Sequence, residues 1–340
     1  MILILTAIDD NTADRVVRKL EARGADFVRF NPADFPASAA VSVYYGADGK
    51  ARGIIAADHL SVDLERVETL WHRRPGAPVP HEIVTDKATR AYIRDECTWY
   101  LGDVWNSLDC RSVPAAPAVV QRAELKASQL RLAAALGFEL PPTLFTTSPD
   151  EFMTFYRRHN GAVISKLAGP TFNRRFGDTL SRYTQVVSKR DVACAASVQL
   201  CPVIFQAYVP KRIELRITVV GEQVFAASID SQASNHSRHD WRRYDLSRTP
   251  HEPHELPPEI ERRCVQLVKR LGLCYGTIDM VVTPEGRYVF LEINPNGQYL
   301  WIEELTGLPI SDAICNLLTS VPSRAKAKRS EFATCSEAAA

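Results

Sequence analysis

Apolar positions along this chain follow two periods. Alternation or short solid apolar runs mark strands, and spacing of three to four marks helices. Ile2 to Leu5 is a solid run, and the polar loop Asp9-Asp10-Asn11-Thr12 follows it. A helix is predicted over Ala13 to Arg23, stopped by Gly24. Phe27 to Phe30 reads as a second strand, so the chain opens as a small parallel α/β unit. Val41 to Tyr45 is a further short strand, with a turn at Ala47-Asp48-Gly49-Lys50. Val67 to Trp71 runs into His72-Arg73-Arg74-Pro75, and one long helix is predicted over Thr85 to Leu108. Pro114-Ala115-Ala116-Pro117 marks a boundary.

Beyond it, a helix is predicted over Arg122 to Leu136, ending at Gly137. Pro141 to Thr147 is extended, and Ser148-Pro149-Asp150-Glu151 caps a helix that continues to His159. Ala162 to Lys166, Tyr183 to Ser188 and Val203 to Tyr208 read as strands. Ile213 to Val220 and Val224 to Asp230 form a hairpin around Gly221-Glu222. A helix over Pro257 to Leu271 leads into a second hairpin, and Ile310 to Leu318 is a last helix. The remainder is rich in Ala, Ser, Lys and Arg and reads as a disordered tail, 322–340. The expected division is 1–117, 118–204 and 205–321, followed by that tail.

The second hairpin breaks its own apolar pattern. Met280-Val281-Val282 and Tyr288-Val289-Phe290-Leu291 are sheet core, yet Asp279, Glu292 and Asn294 interrupt them. Carboxylates in a sheet core are costly without a positive partner. A hard divalent cation such as Mg²⁺ is a natural one, because it prefers oxygen ligands. Glu292 and Asn294 are two apart and share a face. A two-residue loop at Glu285-Gly286 sets Asp279 directly opposite Glu292, with Cβ atoms about 5 Å apart. A four-residue loop does the same, whereas a three-residue loop would place the carboxylates on opposite faces. An ordinary solvent-facing hairpin is the competing reading.

Composition narrows the classes. The 340 residues carry 41 Lys and Arg against 40 Asp and Glu, so no basic footprint for nucleic acid is present. No apolar run approaches a membrane span, and the N-terminus lacks the basic start of a signal peptide. Eight cysteines are scattered without Cys-x-x-Cys spacing, which fits a reduced, cytoplasmic protein. His236, His239, His251 and His254 have no metal-ligand spacing and read as a loop.

Several elements then stand in a telling order. Lys126 lies on a helix and Lys166 ends a strand. Phe205-Gln206-Ala207-Tyr208-Val209-Pro210, Glu214-Leu215-Arg216, Asp279, Glu292 and Asn294 follow. Over residues 1–320 this resembles the ATP-grasp superfamily, in which two α/β lobes clamp ATP. Asp9 to Asp14, Asn31 to Pro36, Trp71 to Pro75, Tyr208 to Gln232 and Asp240-Trp241-Arg242 further resemble the graspetide or microviridin-type ligases, which macrocyclise ribosomal peptides.

The resemblance implies an α/β class built as α+β lobes. An N-terminal pre-ATP-grasp α/β domain precedes a central lobe and a C-terminal antiparallel-sheet lobe. It implies ATP and Mg²⁺, with Asp279, Glu292 and Asn294 as metal ligands. Lys126, Lys166 and Arg216 fall at the phosphates, and Gln206, Ala207, Tyr208 and Val209 at the adenine. Related sequences usually carry Glu where Ala207 stands, so contact there would be through the main chain. Glu214 matches the ribose acid. Arg73, Arg74 and Arg242 are catalytic candidates because a guanidinium fork suits a substrate carboxylate, and Arg216 is one because it would point toward phosphate or acyl phosphate, a structural Glu214–Arg216 ladder being the alternative. Gly169 to Arg175 is a candidate phosphate lid. The implied partner is a precursor peptide, bound by its leader and modified in its core to an ester or amide. A ligase of free amino acids or short peptides, and a non-catalytic ATP-binding module, are the alternatives. Oligomeric state is open, a homodimer included.

Overall fold

The computed structural model describes residues 1–58, 60–167, 184–231 and 249–320. Its first part is the expected parallel unit with an added antiparallel sheet. β1 (Ile2–Thr6), α1 (Asn11–Ala22) and β2 (Phe27–Phe30) are followed by β3 (Ala39–Tyr45), β4 (Ala51–Ala57) and β5 (Leu60–Asp63). Then come β6 (Thr69–Arg74), α2 (Lys87–Ser107) and β7 (Arg111–Val113). The parallel sheet runs β2-β1-β6-β7. β1 is a solid apolar run because both its faces are covered. Ile2 and Ile4 enter a core with Val16 and Leu20 of α1, while Leu3 and Leu5 pack with Val41, Ile55, Leu101 and Trp105.

β4 and β5 were not expected from the sequence. Their stretch alternates weakly and contains Gly53, where a Cβ would lie 2.7 Å from a Leu64 methyl. Close packing, not propensity, makes this segment a strand.

The predicted helix over 122–136 is two helices, α3 (Pro117–Ala123) and α4 (Lys126–Ala135). The break at Glu124-Leu125 makes Lys126 the first residue of α4. Next come β8 (Thr143–Thr146), α5 (Pro149–Arg158), β9 (Val163–Lys166), β10 (Gln185–Val186), α6 (Lys189–Ala193) and β11 (Val203–Ala207). Their antiparallel sheet has the order β10-β9-β11-β8.

The last part holds β12 (Ile213–Val220), β13 (Gln223–Ile229), β14 (His251–Pro253), α7 (Pro258–Arg270), β15 (Tyr275–Val282) and β16 (Tyr288–Asn294). Helices α8 (Leu300–Thr306) and α9 (Ile310–Thr319) complete it. The sheet order is β14-β13-β12-β15-β16. One face packs Leu215, Ile217, Ile278, Met280, Phe290 and Ile293 against Cys264, Leu267 and Val268 of α7. The opposite face carries Glu214, Arg216, Asp279, Glu292 and Asn294. At the far side α9 docks on α1, where Lys19 and Arg23 both bind Asp312 at 2.8 Å.

The hairpin loop overturns the even-length expectation. Thr283 N–H donates to Arg287 O, Gly286 N–H donates to Thr283 O, and Gly286 has φ +85°. Pro284-Glu285-Gly286 is thus a three-residue loop of the kind closed by a left-handed glycine. Val282 pairs with Tyr288 and Met280 with Phe290. That register alone would set Asp279 against Leu291. A β-bulge intervenes after Met280, and beyond it Asp279 pairs with Glu292 and Thr277 with Asn294. The odd loop and the extra residue cancel, so the carboxylates share a face after all.

The tail 322–340, Arg242, Trp241, His236, His239 and the candidate lid Gly169 to Arg175 lie outside the described residues. Among the described residues no helix is long and apolar enough to cross a membrane.

Candidate functional site

Three adjacent strands build the centre of the site. β12 gives Arg216, β15 gives Asp279 directly opposite it, and β16 gives Glu292 opposite Asp279. Arg216 Nη1 donates to both Asp279 oxygens at 2.8 and 3.1 Å. Asn294 Nδ2 donates to Asp279 Oδ2 at 3.2 Å and faces Glu292 Oε1 at 3.5 Å. From α4, Lys126 Nζ reaches Glu292 Oε2 at 2.6 Å. Sequence reading placed Lys126 at the phosphates; its contact here is with a carboxylate of the site.

The donor set fits a hard cation. Two carboxylates and an amide converge on one sheet face, and among the described residues no group of three or more His, Cys, Asp and Glu forms a competing metal site. Asn294 presently directs its N–H toward the carboxylates, so its oxygen would ligate after the amide turns over.

The turn after β16 is bound to this centre. Arg216 Nη2 donates to Gln298 O at 2.9 Å, and the Tyr275 hydroxyl donates to Gly297 O at 2.6 Å. Burial pushes the Tyr275 phenol up to about 12, against the pull of Arg73, Arg216 and Arg74, so it stays a donor. A Cβ on Gly297 would stand 1.5 Å from Thr277 Oγ1 and 2.8 Å from Arg216 Nη2, and this close approach requires glycine.

Arg73 is buried in the protein interior. It is 2% exposed, its Nε lies 3.3 Å from Asp10 Oδ2, and its Nη1 donates to Asn296 O at 3.3 Å. Asp10 also caps α1 by accepting from Thr12 and Ala13 N–H, and it accepts from the Thr6 hydroxyl at 2.8 Å. Arg74 is exposed; with its oxygen turned that way, the Gln298 amide accepts from Arg74 Nη1 at 2.5 Å. Asp10 and Gln298 were missed as site residues. The polar loop at residue 9 and the turn after Asn294 were the available signals.

The nucleotide-side candidates sit on another sheet. Lys166 pairs with Ile204 and Ile164 with Gln206, so Lys166 and Gln206 share one face of it. Phe205 and Ala207 point the other way, into a core with Phe152, Phe155 and Val163. Ala207 and Tyr208 N–H already donate to Pro142 O and Ala162 O. Main-chain contact at Ala207 is therefore confined to its carbonyl. The Gln206 amide donates to Thr143 Oγ1 at 3.0 Å, and Val209 follows the strand half-buried. Glu214 is buried and accepts from Lys211 Nζ at 2.6 Å.

The fold is similar to that of known proteins. The model of the MvdD pre-ATP grasp domain matches residues 1–119. No curated protein matches the chain. Among solved structures, macrocyclase MdnC of Microcystis aeruginosa MRC, bound with precursor peptide MdnA, is 31% identical. The match covers 93% of this chain and 98% of that one, with TM-score 0.82. A RiPP-associated ATP-grasp ligase of Chryseobacterium gregarium, in complex with ADP and a leader and core peptide, is 32% identical. It covers 95% and 97%, with TM-score 0.86. Macrocyclase MdnB of Microcystis aeruginosa MRC is also 32% identical, over 94% and 99%, with TM-score 0.78. The chain belongs to the ATP-grasp ligases and macrocyclases of ribosomally synthesised peptides.

Proposed function

We propose that this enzyme uses ATP to activate Asp or Glu side chains of a ribosomal precursor peptide and closes them onto hydroxyl or amine side chains as macrocyclic esters or amides. The observation that carries the reading is Asp279 opposite Glu292, each already held by a cation, Arg216 and Lys126. That is an oxygen-ligand pair inside a positive frame, which suits a metal–triphosphate complex. The solved relatives, one bound with a precursor peptide and one with a leader and core peptide, support the peptide as substrate.

Bound Mg²⁺ at Asp279, Glu292 and Asn294 would supply charge neutralisation for the phosphates. Lys126, Lys166 and Arg216 share the rest of that charge. Gln206, Ala207, Tyr208 and Val209 receive the adenine, and Glu214 the ribose. Arg73, Arg74 and Arg242 orient the peptide carboxylate. Its oxygen attacks the γ-phosphorus, ADP leaves, and an acyl phosphate results. An acceptor oxygen or nitrogen then attacks the acyl carbon, phosphate leaves, and the acceptor proton is lost. The peptide loses one water per ring. Positioning and electrostatics suffice for this chemistry, so no protein nucleophile is required. The proposed lobes are 1–117, 118–204 and 205–321.

The test is a precursor peptide incubated with the enzyme, ATP and Mg²⁺ and followed by mass spectrometry. Loss of water with matching ADP release is expected, and neither should occur with Asp279→Asn or Glu292→Gln. Wild-type turnover in either variant would refute the metal assignment.

A further inference from the structure

Strand β16 ends its sheet; its outer edge is bridged at Phe290, whose N–H donates to Glu139 O, and among the described residues no neighbouring strand pairs that edge at Ile293. One side chain takes that strand's place. Gln129 of α4 is 1% exposed and lies against Ile293, the residue between Glu292 and Asn294. Its Oε1 accepts from Ile293 N–H at 3.3 Å, and its Nε2 donates to Ile293 O at 2.8 Å and Ala123 O at 2.7 Å. Both amide protons and the amide oxygen are engaged, so this single side chain pairs Ile293 as a ladder residue would.

We infer that Gln129 is a positioning residue for the metal site, fixing the two flanking ligands through the Ile293 peptide groups. Glu292 and Asn294 hang from the two ends of those peptide groups. Rotation of either plane swings a ligand away from Asp279. The hold is applied just past the bulge at Leu291, where the ladder with β15 is locally disrupted. Lys126 sits three residues earlier on the same helical face and binds Glu292 itself. Helix α4 thus grips the ligand strand twice, once by charge and once by main chain.

The inference rests on the metal reading above, and its test separates the two. Mn²⁺ binding in the presence of ADP is measured by electron paramagnetic resonance for wild type, Asp279→Asn, Gln129→Met and Gln129→Glu. Amide hydrogen exchange at Ile293 and thermal melting accompany it. Gln129→Met keeps the bulk without the amide; Gln129→Glu keeps an acceptor and turns it on two carbonyls. Both variants are expected to bind Mn²⁺ about 10–100-fold more weakly, with faster exchange at Ile293. Wild-type Mn²⁺ affinity in a variant with a lowered melting temperature overturns the inference, leaving Gln129 a brace. Mn²⁺ binding that survives Asp279→Asn overturns the metal reading and this inference with it. Should Gln129→Met not fold, Gln129→Asn, which draws the amide back by one methylene, is read in the same way.

Discussion

Arg216 and Asp279 stand directly opposite each other on β12 and β15, joined by contacts of 2.8 and 3.1 Å within a largely buried sheet face. The guanidinium makes the carboxylate tolerable there, and the carboxylate does the same for the guanidinium. Removing one partner of a buried pair typically costs about 3–5 kcal/mol, because the survivor is left uncompensated. Asp279→Asn and Arg216→Met should therefore each lower the urea midpoint strongly. The double variant should lose less than the sum of the singles, and all three should lack ATP-dependent turnover. Additive losses in the urea experiment would show that the two residues do not act as a pair.

Gly297 gives a sharper packing prediction. Any Cβ there collides with Thr277 and reaches the Arg216 guanidinium. Overpacking of this kind usually costs about 1–3 kcal/mol. Gly297→Ala should lower the melting temperature and, by pushing Arg216 from Asp279, lower turnover more than a surface substitution of equal thermal effect. An unchanged melt would mean that the turn after Asn294 moves freely.

The carboxylates at the centre of the candidate site were legible because they violate a pattern. Asp279 and Glu292 stand out in apolar strands, and their types alone suggest a cation. The register was legible only in outcome. The three-residue turn at Pro284-Glu285-Gly286 and the bulge at Leu291 each shift pairing by one, and nothing in Leu291 announces a bulge. Gln129 left no trace, since a glutamine on a helix is commonplace and its partner lies 164 residues away. Arg73 was visible as a candidate but not as a buried ion pair, because its partner Asp10 belongs to another element. Non-local contacts decided each of these, and local pattern carries no record of them.

Asp10 and Arg73 make a second buried pair, remote from the first in sequence. Asp10 also caps α1, a role worth about 0.5–2 kcal/mol. Asp10→Ala should destabilise more than Arg73→Met, since it leaves Arg73 buried without its carboxylate and uncaps the helix as well. Adding Arg73→Met to Asp10→Ala should restore part of the loss. A double-mutant cycle in urea measures the coupling, and a value near zero would deny the interaction.

His72 follows Trp71 into the same strand, and burial pushes its imidazole down from 6.5 to about 4. The folded protein keeps it neutral while the unfolded chain protonates it below about pH 6.5. Unfolding then takes up a proton, so stability is full above that pH and declines as pH falls toward 4. One proton across this window amounts to roughly 3 kcal/mol, of which about 2 kcal/mol should be lost between pH 7 and pH 5. His72→Gln cannot titrate. Its unfolding free energy, measured in urea at pH 7 and pH 5, should fall by about 2 kcal/mol less than that of wild type. Equal falls in the two proteins would show that His72 already binds its proton in the folded state.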